Sequence, residues 1–487
     1  MKPISIAQIK QWARGKQYSG SASLFLKGVS TDSRTLSPGE LFIPLRGERF
    51  DGHDFVPSAF RQGAAAVVIE EHTASDIKAR LMGDGLWETV PNIITVPDTL
   101  LALQEIAQGY RSLFDPQVIA ITGSTGKTTT KDMTASIVAE VGPMLKSPEN
   151  YNNEIGLPLT LLQLEPWHKI VVVEMGMRGP GQIRTLTKLA MPSIGVITNI
   201  GTVHLELLGS QRAIQRAKQE LVETMEPGST IVLNADDPLV REMAEVAVGK
   251  DVIYYGWQTT IHDEPSLAPG CTDASLVTAT HLVTHGAKGI SFTLCYKGKS
   301  VEIQLPVPGR YQVSNALAAA AAAMAAGASL DDVQMGLSRA TLSGMRMQLI
   351  PWLDGGLVIN DAYNANPTSM AAALKTTQEI AAGRPLILVL GDMLELGQLS
   401  KEAHLDIGRQ AAGLKPAYLV CVGTNARGFA EGASKAGLSS ERIVECEDYT
   451  SAEEAVLRVA NPGDIILVKG SRGIALENVV QALCTKL

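Results

Sequence analysis

Residues 118–130 read VIAITGSTGKTTT. The apolar run VIAIT predicts a buried strand, GSTGKT a tight loop, and the following TTKDMTASIVAEV a helix. Backbone N–H groups of such a loop, together with the helix N-terminus, bind phosphate oxygens. Lys127 is expected to reach the β- and γ-phosphates of a nucleotide and Thr128 to hold Mg²⁺. The stretch therefore predicts a phosphate-binding loop.

The loop is a shortened variant of the usual pattern GxxxxGK[ST]. That pattern requires glycine at position 121, where this chain has Ile121. The alternative is a strand–turn–helix connection that binds no phosphate, and the motif needs a parallel sheet around it to be convincing.

The surrounding sequence predicts that sheet. VIAIT, KIVVVEM, IGVITNI and STIVLN are runs rich in β-branched residues, and helical patterns separate them. Such runs are typical of parallel strands covered on both faces. An alanine-rich helix, with Ser314 as its expected N-cap, closes this segment, and residues 255–308 suggest antiparallel strands appended to it.

Two further segments flank this core. Near Gly344 the pattern restarts with GLVIND, PLILVLGD, AYLVCVG and DIILVKGS, which predict a second doubly wound sheet. The first hundred residues mix short strands such as LFIPL with turn signals. The predicted fold is thus α/β with three domains: an N-terminal α/β domain (1–103), a central phosphate-loop domain (104–341) and a C-terminal Rossmann-like domain (342–487).

Composition narrows the class of protein. The chain has 487 residues, 45% of them hydrophobic, and a net charge of −8. This balance argues against nucleic acid as a partner. Scattered cysteines without a CxxC pair argue against a zinc site or a disulfide framework. There is no secretory signal at the N-terminus, and the longest apolar stretch is far short of the roughly 20 residues needed to cross a bilayer. We expect a cytoplasmic protein without membrane insertion.

Polar residues at other strand ends are candidates for the same site. Glu174 ends the strand KIVVVEM, where a carboxylate is a natural Mg²⁺ ligand in a phosphate-loop domain; the alternative is a solvated acid in a loop. His204 follows the strand IGVITNI, and a lone histidine is more often structural. GDM at 391–393 and GSRG at 470–473 are weak signals by themselves.

Taken in order, these motifs resemble the Mur ligase family over the whole chain. The stretches that carry the resemblance are STDSRTLSPGELFIPLRGERFDGHDF, TGSTGKTTTK, ENYNNEIGLPLTLL, VVEMGM, TNIGTVHLELLGS, RAKQEL, INDAYNANPTSM, LGDMLELG and GDIILVKGSRG. The greatest similarity is to the member that adds D-alanyl-D-alanine to UDP-N-acetylmuramoyl-tripeptide for peptidoglycan synthesis. The resemblance implies an ATP-dependent ligase that forms an amide bond through an acyl phosphate.

The resemblance also implies the catalytic residues. Two anions, the substrate carboxylate and ATP, must approach each other, so positive charge is needed between them. Lys127 and two Mg²⁺ ions are expected to supply it. Thr128 and Glu174 would hold one ion, and His204 and Lys218 the other. In much of the family the lysine that matches Lys218 carries a carbamate, which turns a cation into a metal-binding anion.

Binding residues follow from the same matches. For ATP they are Gly123, Ser124, Thr125, Gly126, Lys127, Thr128, Thr129, Asn315, Arg346 and Asp361. For the UDP-muramoyl substrate they are Ser33, Arg34, Gly52 and His53, with Asn152 and Asn153 toward its peptide. The residues expected where the acceptor dipeptide and ATP meet are Tyr363, Asn364 and Asn366.

The chain departs from the family's pattern at two places, and several alternative functions remain open. Tyr311 and Gln312 stand where many relatives have His and Asn, which affects the expected adenine contact. The DNPR motif of the diaminopimelate-adding relative is absent. The alternatives are a related ligase that adds a single amino acid, a folylpolyglutamate-synthetase-like ligase, a nucleotide-hydrolysing switch, and a binding protein that kept only the fold. We further expect a monomer that closes by a hinge on its substrates; the third residue of the tripeptide is left open.

Overall fold

The computed structural model describes residues 1–48, 50–148, 150–203, 205–257 and 275–485. Contacts between residues divide the chain into two compact units. The first comprises Met1–Ala120, Gly142–Met177 and Gly181–Ser193, and the second Ile121–Val141, Arg178–Pro180 and Ile194–Leu487. Each unit is α/β. The three domain boundaries predicted above remain a prediction.

The strands, in chain order, are Ile4–Ser5 (β1), Lys16–Ser19 (β2), Phe25–Leu26 (β3), Val29–Ser30 (β4), Leu41–Phe42 (β5), Ala66–Glu70 (β6), Asn92–Val96 (β7), Gln117–Thr122 (β8), Met144–Lys146 (β9), Ile170–Glu174 (β10), Ile194–Ile197 (β11), Thr230–Asn234 (β12), Asp251–Tyr255 (β13), Leu276–Thr284 (β14), Ile290–Tyr296 (β15), Lys299–Leu305 (β16), Gln348–Pro351 (β17), Leu357–Asn360 (β18), Leu386–Gly391 (β19), Tyr418–Val422 (β20), Ile443–Cys446 (β21) and Ile465–Lys469 (β22).

The α-helices are Ile6–Trp12 (α1), Val56–Arg61 (α2), Ala74–Gly83 (α3), Thr99–Arg111 (α4), Lys127–Val141 (α5), Gly156–Leu161 (α6), Gln182–Ala190 (α7), Leu205–Leu208 (α8), Gln211–Thr224 (α9), Pro238–Arg241 (α10), Gln312–Ala325 (α11), Leu330–Ser338 (α12), Pro367–Ala381 (α13), Ser400–Gly413 (α14), Ala426–Lys435 (α15), Tyr449–Val459 (α16) and Glu477–Cys484 (α17).

In the first unit a five-stranded sheet has the order β2-β7-β6-β5-β4. Only β2 runs antiparallel to its neighbour. Val67 and Ile69 of β6 pack with Ile77 and Leu81 of α3 in one apolar cluster. All five residues of β6 are buried, so both faces of this strand are covered, which explains why the run AVVIE is not alternating. The same unit holds the parallel pair β9 and β10.

In the second unit β11, β12, β13 and β14 pair in parallel, and β14, β15 and β16 pair antiparallel. The antiparallel expectation for residues 255–308 is confirmed over 276–305, while 258–274 lie outside the described residues. The N-cap predicted at Ser314 is wrong, because α11 begins at Gln312. Carbonyls of the preceding turn, Gly309 and Arg310, already accept the first N–H groups of that helix.

The last sheet of the second unit has the order β17-β18-β22-β19-β20-β21, parallel except for β17. Alternate residues of β19 belong to two different hydrophobic clusters, one on each face of the sheet. Leu388 and Leu390 pack with helices α13 to α15, while Ile387 and Val389 pack with α16 and α17. Both faces are therefore covered, as the sequence predicts, and the strands β18, β19 and β22 end at one edge.

In the described part of the chain, no helix is long and apolar enough to cross a membrane. Cys295, Cys421, Cys446 and Cys484 are free thiols, and Cys271 lies outside the described residues. Burial raises the pKa of the Cys421 thiol, so this residue behaves as a small apolar side chain of β20.

Candidate functional site

The loop between β8 and α5 has the geometry of a phosphate-binding loop. Gly126 has φ +77°, and a Cβ there would lie 2.3 Å from the Asn315 side-chain oxygen. Gly123 has φ +148°, and a Cβ there would lie 1.8 Å from Thr198 Oγ1. A larger residue is excluded at both positions by conformation and by space. The predicted strand, loop and helix are present, but the helix begins at Lys127, so Lys127 and Thr128 belong to its first turn and not to the loop.

Residues that follow β11 hold the loop in place. Asn199 Oδ1 accepts hydrogen bonds from Thr125 N (2.9 Å) and Thr125 Oγ1 (3.1 Å), and its Nδ2 donates to Thr125 O (3.1 Å). Thr198 Oγ1 also donates to Thr125 O. Asn199 is not among the residues predicted from the sequence. Its position at a strand end, beside the loop of a parallel sheet, was the available signal.

Two lysines donate to one backbone carbonyl of the loop. Lys127 Nζ and Lys218 Nζ each lie 2.9 Å from Gly123 O, and Lys127 also reaches Ser124 O at 3.3 Å. Lys218, on α9, is buried. Burial, and then the charge of Lys127, hold the pKa of Lys218 well below its ordinary value. Both effects favour the neutral amine over the ammonium form.

Arg346 lies against the first turn of α5. Its Nη2 donates to Thr128 Oγ1 at 2.9 Å, and its guanidinium stacks 3.8 Å from the centre of the Tyr363 ring. Nη1 of Arg346 is buried and finds no hydrogen-bond partner among the residues that the structure describes. A buried, unpaired guanidinium N–H is costly unless an anion pairs with it. Arginine N–H groups pair well with carboxylate and phosphate oxygens, so this position favours an anion.

Asp361 and its neighbours are held by Lys469, which is not among the residues predicted from the sequence. Lys469, nearly fully buried at the end of β22, donates to Asp361 Oδ2 (2.6 Å) and to Asn364 O (2.9 Å). Asp361 Oδ1 accepts from Met347 N. Asn364 Oδ1 accepts from the N–H of the next residue. The carboxylate of Asp361 is thus engaged in holding two segments together.

A cavity of about 250 Å³ lies next to the loop in the second unit. Thr125 and Asn199 line it on the loop side, and Asn366 and Thr368 on the side of α13. Asn366 is the N-cap of α13, where its Oδ1 accepts from Ser369 N. The cavity therefore joins the loop to the start of α13. His204 lies outside the described residues.

The first unit carries the other candidates. Glu174, at the end of β10, is buried, and its Oε1 accepts from Asn152 Nδ2 at 2.9 Å. Asn153 Oδ1 accepts from Ile155 N and Gly156 N at the start of α6. The structure thus pairs Glu174 with Asn152 and gives Asn153 a local structural contact.

The candidates for the UDP-muramoyl substrate are also in the first unit. Arg34 forms paired hydrogen bonds to Asp32 (Nε–Oδ1 2.9 Å, Nη2–Oδ2 2.7 Å), and these lower the pKa of Asp32 to about 2. Ser33 is buried. A Cβ on Gly52 would lie 2.6 Å from Leu45 O. Arg34 itself is exposed and keeps donors for a further anion.

His53 has both ring nitrogens engaged within the protein. Nε2 accepts from Glu70 N at 3.1 Å, so Nδ1 carries the proton and donates to Asp51 Oδ1 at 2.6 Å. The ring is buried. It fixes the turn at Gly52 against the end of β6.

The second unit thus brings together residues 123–129, Lys218, Asn315, Arg346, Tyr363 and Asp361, with Asn364 and Asn366 close in the chain. The first unit contains Ser33, Arg34, Gly52, His53, Asn152, Asn153 and Glu174. Gln312, one of the two departures, accepts from Asn315 Nδ2 at 2.8 Å and so orients the side chain that covers Gly126.

Parallel sheets, a glycine loop at a helix N-terminus and converging lysines define a phosphate-loop nucleotide-binding protein. Three family models match the chain: the Mur ligase family catalytic domain over residues 26–111, the Mur ligase middle domain over 121–323 and the Mur ligase glutamate ligase domain over 345–472. The chain belongs to the Mur ligase family.

Individual relatives are similar over nearly the full length. The UDP-N-acetylmuramoyl-tripeptide--D-alanyl-D-alanine ligase of Bacillus subtilis is 38% identical, over 94% of this chain and 93% of that protein. The Escherichia coli protein of the same name is 34% identical, over 99% of each. A crystal structure of MurF from Acinetobacter baumannii superposes with a TM-score of 0.84 at 30% identity, over 100% of this chain and 99% of that one. These likenesses agree with the three-domain α/β fold that the sequence predicts.

Proposed function

We propose that this chain joins D-alanyl-D-alanine to UDP-N-acetylmuramoyl-tripeptide, with ATP as the energy source. Relatives of that name match it at 32–38% identity over 94–100% of its length. The structural observation that carries the proposal is the phosphate loop with Lys127 and Lys218 on Gly123 O.

The reaction needs an activated carboxyl group. The terminal carboxylate of the tripeptide attacks the γ-phosphorus of ATP, the bond to the bridging oxygen breaks, and ADP leaves. The amine of D-alanyl-D-alanine then attacks the acyl carbon of the acyl phosphate. The carbon–oxygen bond breaks, inorganic phosphate leaves and the amine loses its proton. The product is a pentapeptide precursor of peptidoglycan.

The residues of the loop and of the first turn of α5, Gly123, Ser124, Thr125, Gly126, Lys127, Thr128 and Thr129, are proposed to bind the ATP phosphates through backbone N–H groups and the Lys127 ammonium. Arg346 would place its unpaired Nη1 on a phosphate oxygen. Asn315 covers the loop at Gly126, and Asp361, through Met347 N, holds the segment that carries Arg346.

Mg²⁺ is the proposed metal cofactor. Thr128 and Glu174 offer the oxygen ligands that this ion prefers, and bound Mg²⁺ would neutralise charge on the transferred phosphoryl group. Lys218 would become an oxygen ligand as a carbamate. A neutral amine attacks CO₂ at carbon and releases one proton, and the lowered pKa of Lys218 supplies that amine. His204 is proposed to bind the same ion as Lys218, and two Mg²⁺ ions are proposed in total.

The residues proposed to bind the UDP-muramoyl substrate are Ser33, Arg34, Gly52 and His53. Asn152 and Asn153 are proposed to reach toward its peptide. Exposed donors on Arg34 support a contact with an anionic group. The intramolecular contacts of His53 and Asn153 favour a supporting role in shaping that region. Tyr363, Asn364 and Asn366 are proposed near the acceptor; the cavity that Asn366 lines supports this. We also propose a monomer that works in the cytoplasm.

The test is the acceptor dependence of ATP turnover. Purified protein with Mg-ATP and UDP-N-acetylmuramoyl-tripeptide should release ADP and phosphate in equal amounts only when D-alanyl-D-alanine is added, and mass spectrometry should detect the pentapeptide. Lys127→Met should abolish turnover. Lys401→Met, which changes an exposed lysine of α14, should leave it unchanged.

Turnover with single amino acids or with a folate in place of the dipeptide would contradict the proposed acceptor and support one of the related ligases. Hydrolysis that ignores every acceptor would contradict ligase activity altogether.

A further inference from the structure

The segment that connects α12 to β17 (residues 339–347, hereafter the connecting segment) carries Arg346. Its end near β17 is held by the loop after β18. Asp361 Oδ1 accepts from Met347 N at 3.0 Å, and Tyr363 N donates to Met345 O at 3.2 Å. Met345 and Met347 have φ +59° and +50°, a conformation that non-glycine residues rarely adopt. Arg346 thus stands between two backbone positions that tertiary contacts hold in unusual conformations.

The other side of the connecting segment is held by α5. Asp132 Oδ2 accepts from Ser343 N at 2.8 Å and from Ser343 Oγ at 2.7 Å. Thr128 Oγ1 accepts from Arg346 Nη2 at 2.9 Å. Thr128 and Asp132 are four residues apart and therefore share one face of the helix. This face holds the connecting segment at two points, one helical turn apart.

The first of these points involves a buried charge. The side chain of Asp132 is fully buried, and Lys131 Nζ lies 3.4 Å from its Oδ1. Burial of a carboxylate is unfavourable unless hydrogen bonds and an opposite charge compensate it. Ser343 of the connecting segment gives Oδ2 two hydrogen bonds, one from its N–H and one from its hydroxyl. The geometry of Ser343 is therefore fixed by charge-assisted hydrogen bonds, which are stronger than neutral ones.

We infer that Asp132 is a positioning residue for ATP binding. Through Ser343 it fixes the connecting segment, so that Arg346 keeps its guanidinium on Thr128 and offers Nη1 to a phosphate group. Asp132 itself touches no nucleotide. The inference rests on the proposed function, because it takes the anion beside Arg346 to be a phosphate of ATP.

The test compares three single variants by calorimetric titration with a non-hydrolysable ATP analogue, by KM for each substrate and by urea unfolding. Asp132→Asn removes the charge, and Ser343→Ala removes one of the two hydrogen bonds. Ser136→Ala is the matched control, because Ser136 Oγ on the same helix donates to Gly336 O of α12, away from the connecting segment.

We expect Asp132→Asn to weaken binding of the analogue about tenfold, as loss of a charge-assisted hydrogen bond would. Ser343→Ala should weaken it about threefold, and Ser136→Ala should not change it. KM for ATP should rise while KM for the UDP substrate stays constant. In an Arg346→Ala background, Asp132→Asn should have no further effect on the analogue, since the group through which it acts is gone.

Equal losses of affinity with and without Arg346, or a loss of stability in Asp132→Asn without a selective change in ATP affinity, would overturn the inference. If Asp132→Asn does not fold, Ser343→Ala can be compared with and without Arg346 instead. Ser343→Ala keeps the carboxylate and the hydrogen bond from the backbone N–H of residue 343. The analogue titration needs no ligase turnover. A protein that shows the expected affinities but makes no pentapeptide would refute the proposed function and leave the positioning role standing.

Discussion

Asn199→Ala should weaken ATP binding strongly although Asn199 was not expected to contact ATP. The side chain forms three hydrogen bonds with Thr125 in the phosphate loop. At about 1 kcal/mol each these sum to about 3 kcal/mol. Asn199 is half-buried, so water replaces part of the loss, and about 2 kcal/mol remains. If the loop must be reordered when ATP binds, this corresponds to about thirtyfold in Kd.

The assay is titration of each variant with the ATP analogue, combined with urea unfolding. Gln211→Ala is the matched control. Gln211 Nε2 donates a hydrogen bond to Ile200 O, next to Asn199 in the loop after β11, rather than to Thr125. Asn199→Asp should be intermediate, since a carboxylate still accepts from Thr125 N but cannot donate to Thr125 O. An Asn199→Ala protein whose Kd lies within twofold of the unmodified protein would refute the argument that Asn199 holds the loop.

Three further predictions concern other parts of the chain. Gly126→Ala should abolish analogue binding in calorimetry while the protein stays folded by circular dichroism, because the new methyl group would meet Asn315 and the residue would need φ +77°; normal affinity would contradict this. Lys469→Met should lower the urea unfolding free energy by about 3 kcal/mol, since it leaves the Asp361 carboxylate without its buried partner, and adding Asp361→Asn should restore part of that loss; a double variant no more stable than Lys469→Met would count against the pairing. Burial raises the pKa of Tyr110 to about 12, so the folded state keeps a proton that the unfolded state loses near pH 10, and stability should fall between pH 10 and 12. Tyr110→Phe should be less stable at pH 8 and should lose less stability over that pH range, while Tyr255 and Tyr311, whose pKa values burial also raises, keep their contributions; an unchanged pH profile in thermal unfolding would contradict the assignment.

Much of the fold could be predicted because it depends on local patterns. Runs such as IVVV and LILVL are apolar at every position, and the structure buries each of these strands on both faces. The phosphate loop was equally visible, since its glycines, its lysine and its helix are contiguous. The N-cap at Ser314 was misjudged, because the turn that actually starts α11 lies upstream and uses backbone carbonyls rather than a side chain.

The residues that hold the site together could not be predicted in the same way. Asn199 is 74 residues from Thr125, Lys469 is 108 from Asp361, and Ser343 is 211 from Asp132. No periodicity in a sequence relates positions so far apart. Each of these side chains became recognisable only when the sheets brought the strand ends and α5 to the same place.

The sequence by itself therefore determined many of the strands and helices and the glycine loop between β8 and α5, because hydrophobic periodicity and glycine conformation act within a few residues. The tertiary structure alone decided which polar groups form hydrogen bonds to that loop and which remain available to a ligand. A buried donor such as Arg346 Nη1 is paired or unpaired only with respect to its neighbours in space, and a hydrogen bond depends on distance and angle rather than on separation along the chain.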